Sequence, residues 1–179
     1  HTLSVVLENN IPTTEVIAAS LRANHTRKFA LETLAHFGQD SKKTTVTLLK
    51  MLNEADPDEQ KNVLMALATT GKSSAAAVTE LGHLINDPTQ LIQNKRSATY
   101  ALGNYGPTAK SLYQPLNTLR TADDTILMIL ANWAVTCLEP ANKQLRNSVI
   151  DTLEKAAENS DTQEAKQVAT ECLTWLKTS

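Results

Sequence analysis

Glycine, aromatic residues and cysteine are all scarce in this chain, and each scarcity narrows the reading. Among 179 residues there are five Gly, six Pro and 4% aromatics. No stretch alternates Val, Ile and Thr in the manner of a half-buried strand. Ala, Leu, Lys, Glu and Gln fill the space instead, and these lose little side-chain entropy in a helix, so an all-α fold is expected. The two cysteines, Cys137 and Cys172, form no close-spaced pair. Zinc sites usually draw ligands from tight couples, so the pair reads as two buried apolar thiols. A strong charge of either sign is also missing: 17 Lys plus Arg face 19 Asp plus Glu, a net charge of −2. Such a chain lacks the positive field that phosphate polymers require, which argues against nucleic acid. No apolar run approaches the length of a bilayer span. With 41% hydrophobic residues the chain can bury a substantial core as a single domain. It opens on His1 rather than Met, as a processed product or an excised fragment would, and the compartment stays open.

What the chain does contain is a repeat. Five segments share one pattern: ALETLAHFG from Ala30, VLMALATTG from Val63, ATYALGNYG from Ala98, ANWAVTCLE from Ala131 and ATECLTWLK from Ala169. Their starts are separated by 33, 35, 33 and 38 positions. The first column holds Ala30, Val63, Ala98, Ala131 and Ala169, and Leu34, Leu67, Leu102, Val135 and Leu173 follow four residues later. Phe37, Thr70, Tyr105, Leu138 and Leu176 stand seven residues on, so each segment carries an apolar stripe at helical spacing. Small residues occupy the position between (Thr33, Ala66, Ala101, Ala134 and Cys172), where a neighbouring helix can approach closely. A second helix follows each of the first four segments, with Leu49, Leu81, Leu116 and Ile150 in register, and Leu52, Leu84, Leu119 and Leu153 three residues further.

Punctuation agrees with this register. Gly38, Gly71 and Gly106 close the first three leading helices at positions suited to positive φ. Asp56 or Asp58, Asp87, Asp123 or Asp124, and Asp161 are candidate N-caps of the later ones. The stretch from Pro12 to Ala23 resembles one more second helix, and TLSVVLE before it resembles the remnant of its partner. The expected organisation is one domain over 1–179, with about eleven helices. A partial repeat occupies 1–23, full repeats occupy 24–56, 57–87, 88–123 and 124–160, and a half repeat occupies 161–179. The half-units at both ends suggest a fragment of a longer protein. One unit cannot bury its own stripe, so neighbours must stack to make the core.

The stretch KRSATYALGNYGPTAKSLYQPLNTL, from Lys95 to Leu119, resembles the HEAT repeat family in its short, PBS-lyase-like form. That family's pattern runs Asp, Arg, Ala-x-x-Ala-Leu-Gly-x-x-Gly and then a Leu-rich second helix. Arg27, Lys95 and Lys166 fill the basic position, whereas Gln60 and Met128 depart from it, and the fourth and fifth copies lack the glycines. TPR repeats have a similar period of about 34 residues. Here, however, Tyr105 follows Leu102-Gly103 one position too early, and no second helix carries Ala-x-x-x-Phe. The resemblance covers about 24–179. It implies a right-handed α-solenoid of stacked antiparallel helix pairs acting as a non-catalytic protein–protein interaction scaffold. Two other activities accompany the resemblance. One is a HEAT-like DNA glycosylase with a basic groove; the other is a lyase or chaperone-like accessory protein of a chromophore- or cofactor-bearing partner.

Catalytic and ligand motifs do not emerge. ALATTGKS, Ala66 to Ser73, mimics a relaxed Walker A loop, but a helix in repeat register precedes it where a phosphate loop needs a strand. The histidines at 1, 25, 36 and 83 form no metal-binding spacing, and no G-x-S-x-G surrounds a serine. Asn24-His25-Thr26 is a formal glycosylation sequon. Neither catalytic residue, cofactor nor metal is assigned. Trp133 and Trp175 read as partly buried between repeats, with an anchor role as the functional alternative. The second helices are expected to line the concave surface. One column there holds Lys50, Gly82, Asn117 and Asp151, and another holds Asn53, Ile85, Arg120 and Glu154. Mixed charge suits a protein or peptide partner, with Lys50, His83, Asn117, Arg120 and Asp151 as contact positions.

Overall fold

The computed structural model describes residues 30–31 and 42–178. Their regular structure is entirely helical. The chain divides into two compact units, His1–Ser74 and Ala75–Ser179, and the boundary falls between the two helices of the 57–87 repeat.

In the first unit, α1 (Lys42–Glu54) packs on α2 (Pro57–Thr70). Helix α1 buries Leu48, Met51 and Leu52 and leaves Val46 exposed. Helix α2 starts at Asp56, whose carboxylate accepts a hydrogen bond from Glu59 N at 2.9 Å, satisfying one orphan donor of the first turn. Val63, Ala66 and Leu67 are fully buried, as the repeat register requires. Thr70 is polar at an apolar position. Its hydroxyl donates to Ala66 O at 2.9 Å, while Thr45 Oγ1 donates to Thr70 O at 2.8 Å, so its burial leaves no polar atom stranded. Gly71 closes α2 with φ −106°, so this turn makes no use of positive φ, contrary to expectation.

The second unit contains α3 (Ala75–Asn86), α4 (Ile92–Tyr105), a 3-10 segment (Gly106–Leu112), α5 (Tyr113–Leu119), α6 (Thr125–Leu138), α7 (Lys143–Asn159) and α8 (Gln163–Thr178). Helix α4 packs on α6, and α6 on α8; α3 lies against α4, α5 against α6, and α7 against both α6 and α8. Ala98, Ala131 and Ala169 are fully buried, and so are Ala101 and Ala134. Leu102, Val135, Tyr105, Leu138 and Leu176 complete the buried stripe. The leading helices α4, α6 and α8 thus bury the same columns.

Several expectations need correction. The described residues hold fewer helices than the about eleven anticipated. The stretches around Pro12 to Ala23, TLSVVLE, Gly38, His36 and the sequon lie outside the described residues. Ile85 and Gly82 are buried rather than exposed, because α3 turns Val78, Leu81 and Ile85 inward. In α1 and α7 the buried pairs are Leu48 with Leu52 and Val149 with Leu153; Leu49 and Ile150, one residue along, are only half-buried. Of the two candidates at the start of α6, Asp124 is the cap, as expected, accepting from Leu127 N at 2.8 Å. Asp87 caps no helix: its carboxylate accepts from Thr89 N and Oγ1, closing a turn, and α4 begins later, at Ile92. At the start of α8, Thr162 Oγ1 takes the capping role expected of Asp161.

Two glycines answer to particular geometry. Gly106 has φ +56° where α4 gives way to the 3-10 segment, a conformation that a side chain would strain. Gly103, inside α4, lies under the Trp133 ring: a Cβ there would stand 2.2 Å from Trp133 Cζ3. Gly103→Ala should therefore lower unfolding free energy by about 1–3 kcal/mol through overpacking, despite a helix-propensity gain of about 1 kcal/mol. Gly82→Ala meets the flexible end of the Leu112 side chain, its nearest δ-methyl at 2.9 Å, and should change stability by less than about 1 kcal/mol. Urea denaturation of both variants checks the contrast, and equal midpoints would show that Trp133 moves aside freely.

Candidate functional site

Three side-chain assemblies in the second unit concentrate polar and aromatic chemistry. The first is an aromatic array across the leading helices. Tyr100 of α4 stacks on Trp133 of α6, with centroids 5.5 Å apart and planes inclined by 19°. Trp175 of α8 meets Trp133 edge-on at 5.7 Å and 83°. Offset stacking and T-shaped contact both match the electrostatic quadrupole of the rings. Gly103 makes room for Trp133, which is 3% exposed, while Trp175 is 44% exposed. The two tryptophans therefore part company: Trp133 is core and Trp175 reaches the surface. Trp133 Nε1 is buried without a conventional hydrogen-bond acceptor. Such a donor costs about 1–3 kcal/mol, which the ring contacts and the buried area of the indole must offset.

The second assembly joins Arg96 of α4 to Asp124, the N-cap of α6. Arg96 Nε donates to Asp124 Oδ1 at 2.8 Å and Nη2 donates to Oδ2 at 2.5 Å, a bidentate pair with both side chains about three-quarters covered. The Arg96 hydrogen bonds hold the Asp124 carboxyl below its usual range, against the opposing effect of burial. The guanidinium is raised in turn, chiefly by Asp124. Repeat alignment points to Lys95 as the basic position, yet Arg96 makes the bond. A single step along a helix turns the side chain by about 100°, enough to change its neighbour.

The third assembly contains two of the sequence-derived contact positions. Arg120, just beyond α5, donates through Nε to Asn132 Oδ1 at 2.9 Å and through Nη1 to Asn117 Oδ1 at 3.0 Å. Asn132 is buried on α6, and its Nδ2 donates to Met128 O at 2.9 Å. The structure thus brings Asn117 and Arg120 together and ties them to α6. The hydrogen bonds of this group include none of the other contact positions. His83 is exposed on α3, with Nδ1 3.7 Å from Glu80 Oε2. Asp151 is exposed on α7, and Lys50 is exposed on α1 in the first unit.

Cys137 and Cys172 are free and buried, and burial pushes both thiols up to about 12. Among the described residues no group of His, Cys, Asp or Glu is placed to hold a metal ion, and no helix is long and apolar enough to cross a membrane. The Walker-like stretch has α2 before Gly71 and a turn at Lys72-Ser73, so its backbone does not form a strand-to-helix phosphate loop. No family model, curated protein or solved structure matches the chain.

Two measurements follow from these assemblies. At pH 8 the native cysteines should resist iodoacetamide and react once the chain is unfolded, since a thiol raised to about 12 is scarcely ionised there; mass spectrometry reads the difference. Asp124→Asn keeps a capping oxygen but loses the charge, and should cost about 1–2 kcal/mol at pH 7. Because the folded carboxyl titrates below the unfolded value of about 3.9, that stability is fully present above it and lost as pH falls through the folded pKa. The difference between the two proteins in denaturant should therefore be constant near neutrality and shrink in acid.

Proposed function

We propose that the chain is a non-catalytic protein-binding scaffold, built as a HEAT-like α-solenoid in which stacked helix pairs present second-helix side chains to a partner. The observation that carries this reading is the shared burial of one set of columns in α4, α6 and α8, which pack in succession while α7 lies against the last two. A repeat that spends its apolar stripe on its neighbours leaves its other helical faces to solvent, where they can be read. Lys50, His83 and Asp151 are exposed on such faces and differ in charge type, which suits a protein surface better than a polyphosphate. Affinity in this mechanism comes from a few anchored side chains on a rigid support. The resemblance of Lys95 to Leu119 to the HEAT pattern points the same way.

Site-specific photo-crosslinking tests the reading. A benzophenone amino acid placed at Lys50, His83 or Asp151 in the source cells should trap a discrete protein, and Asp151→Lys or Lys50→Glu should reduce its capture without changing helicity by circular dichroism. Adducts with nucleic acid alone, or capture insensitive to every one of these substitutions, would remove the scaffold reading.

A further inference from the structure

We propose that Arg120 is the docking point for a carboxylate on a protein or peptide partner; this rests on the scaffold reading and adds the chemistry of the group recognised. The guanidinium is held from two sides, by Asn132 Oδ1 at 2.9 Å and Asn117 Oδ1 at 3.0 Å. Both holders are neutral. Among the described residues Arg120 enters no ion pair, whereas Arg96 is neutralised by Asp124. The structure therefore fixes a full positive charge in one orientation without cancelling it.

The hydrogen-bond inventory narrows what can meet that charge. Asn132 spends its Nδ2 on Met128 O, which leaves its Oδ1 for Arg120 and sets the direction of the amide. Asn117 Oδ1 is likewise engaged, so its Nδ2 turns the other way. Arg120 Nη2 and Asn117 Nδ2 make no hydrogen bond to the described residues and are not among their fully buried polar atoms. The amide oxygens of the triad are turned to Arg120, and the groups of the triad without a hydrogen bond, Arg120 Nη2 and Asn117 Nδ2, are donors. A ligand complementary to that set is an acceptor carrying negative charge.

Charge count favours a carboxylate over a phosphate. Phosphate polymers are gripped by several cations, each adding to the salt dependence of binding. Arg120 has no basic companion in its hydrogen-bonded group, and Asp123 is exposed three residues further along the chain. One guanidinium with an amide donor beside it matches the single charge of an Asp or Glu side chain or a C-terminus. Its orientation is already set by the asparagines, so binding need not order a free arginine.

The test separates this role from a merely structural one. In the full chain, the Arg120 Nε–Hε resonance should move on titration with acetate more than with sodium chloride at equal ionic strength, and the Arg96 resonance should not. Asn117→Asp keeps an oxygen on Nη1 but supplies a built-in carboxylate. It should abolish the acetate response while leaving the thermal midpoint unchanged or higher. The same variant, and Arg120→Lys, which keeps the charge but not the fork, should weaken binding of the cross-linked partner by about tenfold or more. An Arg120 resonance that ignores acetate overturns the inference, and so does a larger response to inorganic phosphate than to acetate. If acetate binds as expected but the captured partner is indifferent to Asn117→Asp, Arg120 is not its docking point and the scaffold reading stands alone. If no partner is captured at all, the scaffold reading fails and the acetate titration still decides the chemistry of Arg120.

Discussion

Close approach between successive leading helices is the constraint on which the second unit depends. Small residues at Ala101 and Ala134, each fully buried, let α4, α6 and α8 come together over their apolar stripes. Gly103 takes this furthest, since the ring of Trp133 occupies the space that a methyl group would need. Tyr100 then covers one face of that ring and Trp175 meets it from α8. One missing side chain on α4 thereby positions aromatic groups from three helices. Protein interiors pack as densely as organic crystals, so the arrangement has little room to drift.

The arginines of the second unit show how one side-chain type serves different ends according to what accepts its hydrogen bonds. Arg96 faces a carboxylate, and the bidentate pair fastens α4 to the start of α6. Arg146 of α7 donates to the Leu176 carbonyl near the end of α8, where a cation also suits the helix dipole. Arg120 is met by two amide oxygens, which leave its charge unneutralised. Burial alone would not separate these three, since all are half-buried. The acceptor does.

The buried stripes of the leading helices were legible in the sequence because apolar positions at i, i+4 and i+7 repeat at a nearly constant interval. Val63, Ala98, Ala131 and Ala169 are buried as that register requires. The second helices were harder. Leu48 and Leu49 are both apolar, as are Val149 and Ile150, and a helical pattern cannot say which of two adjacent apolar residues points inward without knowing the neighbour. The same ambiguity hid the burial of Ile85. Caps were half legible: Asp56 and Asp124 behave as their position suggests, but Asp87 turns its oxygen to Thr89 instead. The ties of Arg96 and Arg120 had no local signature. Arg96 and Asp124 are 28 residues apart, and Arg120 and Asn132 are 12, distances that only the packed helices close. Gly103 was visible as a glycine inside a helical stripe, and Trp133 as a bulky residue one repeat later, but nothing in either segment said that the one makes room for the other.

Both tryptophans of the chain belong to the aromatic array, and none lies in the first unit. Intrinsic tryptophan emission therefore originates in the second unit alone, whereas far-ultraviolet ellipticity sums over both. Divergent melting curves from the two optical signals would thus reveal independent unfolding of the halves, and superimposable ones a single cooperative block, without any label being introduced.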